Sequence, residues 1–180
     1  MRELALLAVA IMAVSTSAPL IRGAAAPTLA IAFWRNGLSL PVLGLWGGSR
    51  RTERAGWVRR SRRERRLSMA SGALLAAHFA TWVPSLSYTT VASSVALVAT
   101  QPVWAALIAH RRGEHVARGT WIGISLAMAG AVVLTGVDVS ISERALVGDL
   151  LALLGGVFAA AYVTVGADVR RTVSTGVYAL

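Results

Sequence analysis

The sequence predicts an all-α membrane protein, a polytopic bundle of helices that cross a lipid bilayer. Composition is the first reason: of 180 residues, 56% are hydrophobic and 14% are charged, whereas a soluble domain carries about 25% charged residues. The second reason is that the few charges are grouped between long uncharged runs, and the mean hydropathy is +0.62. This richness in apolar residues excludes a disordered chain. The absence of cysteine excludes disulfides, cysteine metal sites and thiol catalysis.

The uncharged runs predict six membrane-spanning helices, because a helix needs about 20 mostly apolar residues to cross the hydrocarbon core. The run from Leu67 to His110 is too long for one crossing. Pro84 and the polar stretch from Ser85 to Thr90 predict that it divides there into two helices. The predicted spans lie near residues 4–22, 28–47, 68–86, 90–110, 119–137 and 148–167.

The arginines test this count, because basic residues collect in cytoplasmic loops. All 18 basic residues are Arg, and 15 of them fall on one side when the loops are alternated across the membrane. The other side has only Arg22 and Arg144, and Arg35 lies within a span. This asymmetry predicts a cytoplasmic N-terminus. The first span is longer than the apolar core of a signal peptide, so we expect it to be retained.

The loop from Arg50 to Arg66 is strongly basic, with nine arginines in 17 residues. Such a segment is compatible with nucleic-acid binding, but a short cytoplasmic loop between apolar spans already has a role in setting topology. We favour that role, with contact to anionic lipid alongside it, and expect no nucleic-acid partner. The Arg-only, Ala- and Gly-rich composition favours the plasma membrane of a prokaryote.

The ends of two spans repeat a pattern. Glu3 and Arg22 bracket the first span as Asp149 and Arg170 bracket the sixth. Because five spans separate the two starts, the second unit begins on the opposite side of the membrane, which is an inverted-topology repeat. The chain turns apolar again from residue 174, like the first turns of a seventh span. The pattern therefore predicts a truncated chain.

Several short motifs occur in an order that resembles the EamA-like family of the drug/metabolite transporter superfamily. The resemblance covers nearly the whole chain. The motifs are Pro27 with Ala32-Phe33-Trp34-Arg35, Ser87-Tyr88-Thr89-Thr90, Gln101-Pro102-Val103, Gly113-Glu114, Trp121-Ile122-Gly123 and Gly148-Asp149-Leu150-Leu151.

That resemblance implies ten helices in two inverted five-helix repeats, with residues 1–137 as the first repeat and 148–180 as the start of the second. It implies a secondary transporter of small metabolites or drugs that works by alternating access, with export as the expected direction. The missing second repeat would come from the same chain or a partner subunit. The alternative is a membrane interaction protein that transports nothing, or an inactive transporter remnant.

Arg35, beside Asn36 near the middle of the second span, is the clearest candidate for a substrate-binding residue, because charges at membrane depth are costly. It is either a cavity cation that attracts a carboxylate, or a structural Arg satisfied by carbonyls at a helix break or reaching toward an interface. His78 shares a helix face with Trp82. It either relays protons or donates one hydrogen bond to a neighbouring helix, and we favour the second.

Pro102 interrupts the backbone hydrogen bonding of the fourth span, next to Thr100, Gln101 and Trp104. These residues form either a wall of a binding site or a packed kink. In the other spans, Ser15 and Ser17 either line a cavity or permit close packing, and Tyr162 adds an aromatic candidate. Close packing is predicted at Gly119, Gly123, Gly130 and Gly136. We expect no enzyme activity, metal or cofactor, since no nucleotide-binding loop, nucleophile triad or carboxylate pair is present.

Overall fold

The computed structural model describes residues 2–48, 55–56, 58–136 and 142–179. Residues 50–54 and 57 of the basic loop lie outside the described residues. The described chain is helical, and no strand occurs within it. Its helices are α1 Arg2–Gly23, α2 Thr28–Gly37, α3 Ser39–Gly48, α4 Arg62–Tyr88, α5 Val91–Val98, α6 Gln101–Arg111, α7 Arg118–Gly136, α8 Glu143–Arg170 and α9 Thr175–Ala179.

Three helical segments are long and apolar enough to cross a membrane: Glu3–Gly23, Val91–Arg111 and Glu143–Arg170. The segment Arg118–Val133 is apolar but shorter. The predicted second span is divided between α2 and α3, which meet at Leu38. The predicted third span lies within α4, whose arginines and serines make it less apolar than the other long helices. The all-α membrane bundle predicted from the sequence is confirmed.

The centre of the fold is an antiparallel pair formed by α4 and α8. The Ser71 hydroxyl donates to the Tyr162 carbonyl at 3.4 Å near the start of α4 and the end of α8. At the opposite ends of the pair, Gly148 packs against the backbone of Thr89. Small side chains make this close approach possible. The buried residues of α8 are Gly148, Ala152, Gly155, Gly156, Ala159, Ala160, Gly166 and Val169.

Helices α5 and α6 run in the same direction as α8 and contact an adjoining face of it. Thr100, between the two helices, lies against Gly156, and an ion pair of 2.7 Å joins Arg112 to Asp168 at the far end. Pro102 stands in the first turn of α6, where a proline costs no intrahelical hydrogen bond. The fourth span is therefore broken near its middle.

Helices α1 and α2 pack on the second half of α4. The buried side chains of this core are Ala18, Ile21, Ala32, Trp82, Val83 and Leu86. The N-terminal part of α1 is exposed from Leu4 to Val14. Helix α1 thus contacts the described bundle only near its C-terminal end.

Arg22 and Arg144, the two arginines on the arginine-poor side, both bind the C-terminal end of α4. Arg22 donates through Nη1 to the carbonyls of Leu86 and Thr89, the latter at 2.6 Å. Arg144 donates to the Ser87 carbonyl at 3.1 Å. The last carbonyls of a helix lack intrahelical partners, and its C-terminal end favours positive charge. Both exceptions to the charge asymmetry therefore have a structural role.

The longest uncharged run divides within the polar stretch from Ser85 to Thr90, as the sequence predicts. Helix α4 continues through Pro84 to Tyr88, since a membrane helix tolerates the loss of the one backbone donor that a proline removes. Thr90 then starts the next helix by accepting the Ser93 N–H at 3.1 Å. The prediction of close packing at Gly119, Gly123 and Gly130 is wrong for the described part of the chain, because no described atom lies within 4 Å of a Cβ added there.

Candidate functional site

An aromatic group lies in the middle of α4. His78 and Trp82, one turn apart, stack with ring centroids 5.6 Å apart and planes inclined by 15°. Phe79 lies 4.7 Å from the His78 ring and 6.2 Å from the Trp82 ring. Helical spacing of three and four residues brings the three rings to one face. Together with Arg35 of α2 they form what we call the central cluster.

Arg35 lies in the last turn of α2, with its guanidinium over the rings of α4. Its Cζ is 4.7 Å from the Phe79 centroid and 5.9 Å from that of Trp82. Cation–π contacts of this kind are worth about 0.5–2 kcal/mol. Within the described ranges, the guanidinium of Arg35 makes no hydrogen bond and no ion pair. The carbonyl partners that a purely structural Arg would need are therefore absent from that part of the chain, and the guanidinium donors remain available.

His78 binds the neighbouring helix. Its Nδ1 is 2.9 Å from the Gly155 carbonyl oxygen of α8. A carbonyl only accepts, so Nδ1 carries the proton and Nε2 holds a lone pair when the ring is neutral. This is the inter-helix hydrogen bond that the sequence analysis favoured over a proton relay. It fixes the ring against which Trp82 stacks.

The break in the fourth span lies one residue further along α8. Thr100 is buried against Gly156. Its Oγ1 donates to the Leu97 carbonyl at 2.7 Å and accepts from Trp104 Nε1 at 3.0 Å. These polar groups satisfy each other, so Thr100 and Trp104 form a packed wall. Gln101 is half-buried, and its side-chain amide makes no hydrogen bond with any residue that the structure describes.

The remaining candidates lie apart from the central cluster or use their polar groups locally. Asn36 donates to the Ala32 carbonyl at 2.8 Å, and Ser17 donates to the Val14 carbonyl at 2.7 Å. Ser15 is exposed on α1. Tyr162 is seven residues beyond Gly155, about 10 Å along the helix axis at 1.5 Å per residue.

Three residues of the site were missed by the sequence analysis: Phe79, Gly155 and Gly156. Phe79 had a readable signal, because it follows a candidate His and precedes Trp82 by three residues. The adjacent glycines of α8 had a weaker one. A Cβ on Gly155 would lie 3.1 Å from that of Trp82, a contact that only the folded structure reveals. Both glycines allow α4 and the broken fourth span to approach α8 at the same depth.

The central cluster offers groups that can recognise a ligand. A cation with open donors lies beside apolar rings, which suits a ligand with a negative group and an apolar body. Trp82 is only 7% exposed, and its Nε1 has no hydrogen-bond partner among the described residues. No group of three or more metal-binding side chains occurs in the described part of the chain.

Comparison with known proteins is consistent with this architecture. A family model described as "EamA-like transporter family" matches residues 3–136, which is more than half of the chain and extends from α1 to the end of α7. No curated protein and no solved structure gives a significant match. The resemblance indicated by the sequence motifs is thereby confirmed. The chain is a membrane protein that belongs to the EamA-like transporter family.

Proposed function

We propose that the protein acts in secondary transport of small metabolites or drugs, and that Arg35 recognises an anionic group of the substrate. Family membership supports the coarse function, a transporter of small molecules. The unpaired guanidinium of Arg35 over Phe79 and Trp82 supports the finer one. In this proposal the substrate carries a carboxylate next to an apolar or aromatic body.

Placing the charge of Arg35 within the membrane costs free energy. An Arg at the centre of a membrane helix costs about 2.5–3.5 kcal/mol on the insertion scale. The cation–π contacts offset part of this cost. A carboxylate bound through two parallel N–H···O bonds would offset more, because charge-assisted pairs of this type are among the strongest in proteins. Among the described residues no carboxylate takes that position, which leaves it for a ligand.

The proposed transport cycle requires a second wall for the cavity. In our proposal a second five-helix repeat supplies it, from the same polypeptide or from a partner subunit. Alternating access would then expose the central cluster to each side of the plasma membrane in turn. We propose export as the direction, with the N-terminus in the cytoplasm.

The proposal is tested by ligand pairs that differ only in charge. Purified protein in detergent is titrated with benzoate and benzamide, and with phenylalanine and its amide, by calorimetry. We expect the carboxylates to bind about tenfold more tightly, since a hydrogen bond to a charged group contributes about 1.5–3 kcal/mol. Arg35→Gln should remove the preference. Arg35→Lys should keep part of it, because Lys retains the charge and loses the planar fork.

A matched control is Arg118→Gln, which removes the same charge from an exposed position at the start of α7. It should leave both affinities unchanged. Equal preference for carboxylates in wild type and Arg35→Gln would refute anion recognition by Arg35. A protein that no longer folds after either Arg35 substitution would show a structural role instead.

A further inference from the structure

A cavity of about 300 Å³ lies at the arginine-rich end of the bundle, away from the central cluster. It is open on one side and is lined by residues just before α4, by the first turn of α4, and by the segment from the end of α8 into α9. Its size is at the lower end of the range for small-ligand pockets. The polar residues that line it are Arg59, Arg60, Glu64, Thr172 and Ser174.

The charge in this cavity is positive. Arg59 is exposed; its backbone N–H donates to the Ala55 carbonyl at 3.1 Å, whereas its guanidinium makes no hydrogen bond or ion pair with any described residue. Arg60 is half-buried, and its Nη1 donates to the Val177 carbonyl at 3.4 Å. Burial and the nearby Arg65 lower the pKa of Arg60, but a guanidinium stays protonated at any physiological pH. The cavity therefore presents two cations.

Glu64 is the one acidic residue that lines the cavity, and its carboxylate already has partners. The Ser61 N–H donates to Oε2 at 2.7 Å, and the Thr172 hydroxyl is a second hydrogen-bond partner. These bonds hold the pKa of Glu64 below its usual range. The carboxylate also interacts electrostatically with Arg60. Two guanidiniums and one carboxylate therefore line the cavity, and its formal charge stays positive.

One wall of the cavity is apolar. Val173 and Val177 line it and belong to a buried group with Val169, against which Leu67 and Tyr178 pack. Leu67 begins the long uncharged run of the third span. The cavity therefore lies where the polar loop meets the apolar part of the bundle.

We propose that this cavity binds a phosphate group, held by the guanidiniums of Arg59 and Arg60. Guanidinium and phosphate match in charge and geometry, since two N–H donors can meet two phosphate oxygens. The phosphate has two sources at such a boundary between polar and apolar segments: the phosphodiester of an anionic phospholipid, or a phosphate-bearing solute. The site is independent of the transport proposal, because it uses none of the residues of the central cluster.

The test measures two probes on the full chain. Native mass spectrometry compares bound phosphatidylglycerol with bound phosphatidylcholine, and calorimetry measures inorganic phosphate. The variant is Arg59→Gln, and the control is Arg63→Gln, which removes the same charge from an exposed residue of α4 outside the cavity. We expect Arg59→Gln to weaken the binding of one probe about tenfold and Arg63→Gln to change it less than twofold, consistent with one lost charge-assisted hydrogen bond.

The outcomes separate the sources. Selective loss of phosphatidylglycerol identifies the lipid, and selective loss of inorganic phosphate identifies the solute; both support the site. Equal weakening by the two substitutions would mean that the net charge of the basic segment attracts anions without a defined site, and would overturn the proposal. Absence of binding by either probe to the wild-type protein would also overturn it.

Discussion

Gly148 of α8 offers the sharpest test of the α4–α8 pairing, through the substitution Gly148→Ala. The added Cβ would lie 2.7 Å from the Thr89 nitrogen, 2.8 Å from the Tyr88 Cβ and 2.9 Å from the Thr89 Cβ. Real Cβ atoms do not approach so closely, and none of these three atoms can move by rotating a side chain. Arg22, bound to the Thr89 carbonyl at 2.6 Å, further restrains this segment. The helices must therefore separate.

The magnitude follows from a comparison with Gly123→Ala. Gly148 and Gly123 are each the sixth residue of a helix, and no described atom lies within 4 Å of a Cβ added at Gly123. Replacing Gly by Ala in a helix gains about 0.8–1 kcal/mol, and this gain is common to both. Overpacking costs about 1–3 kcal/mol and affects Gly148 alone. The two variants should differ by about 1–3 kcal/mol in the free energy of unfolding.

The assay is reversible unfolding by dodecyl sulfate in mixed micelles, followed by far-ultraviolet circular dichroism. Gly148→Ala should unfold at a lower dodecyl sulfate fraction than wild type or lie close to it. Gly123→Ala should unfold at an equal or higher fraction than wild type. If the two variants unfold at the same dodecyl sulfate fraction, whatever their position relative to wild type, the packing of α8 against the end of α4 is wrong.

Three other predictions use the same assay. Arg22→Gln should lower the free energy of unfolding by about 1.5–3 kcal/mol, because its charge-assisted hydrogen bonds to the end of α4 are lost; no change would contradict the capping role. The pKa of Glu64 is lowered, so its stabilising contribution is complete above the unfolded value near 4.5 and is lost as pH falls through the folded value. Wild type should therefore lose stability at low pH more steeply than Glu64→Gln, and parallel pH profiles would refute this. Asp168→Asn should lower the free energy of unfolding by less than about 1 kcal/mol, because the ion pair with Arg112 is partly exposed. A larger loss would assign this ion pair a greater structural role.

Much of the fold was predictable because uncharged runs of helical length have few alternatives in a membrane. The division of the longest run into two helices was predicted, and the helices end at Tyr88 and begin at Val91, within two residues of the predicted bounds. Thr90, a helix N-cap followed by an apolar run, is the sharper local signal for the start of the second helix. The start of α4 has a similar signal in Ser61 and Glu64, which form a capping box.

The contacts that create the central cluster were less predictable, because they join residues far apart in sequence. Arg35 was recognised as a lone charge, but nothing local indicated that its guanidinium would lie over Phe79. Glycines show the same limit, because the sequence does not distinguish Gly123 from Gly148. Only tertiary packing shows that a side chain has space at Gly123 and none at Gly148. Tyr162 was a reasonable aromatic candidate, and its distance from Gly155 along α8 separates it from the cluster.

We infer that α4 and α8 cross the membrane in opposite directions, with the central cluster midway between the two faces. Single cysteines at Arg63→Cys and Glu143→Cys mark the starts of these helices at exposed positions, and the chain has no native cysteine to interfere. An impermeant maleimide is applied to right-side-out and inside-out vesicles. We predict labelling of position 143 only in right-side-out vesicles and of position 63 only in inside-out vesicles. Labelling of both positions from the same side, or of position 63 from outside, would contradict the account.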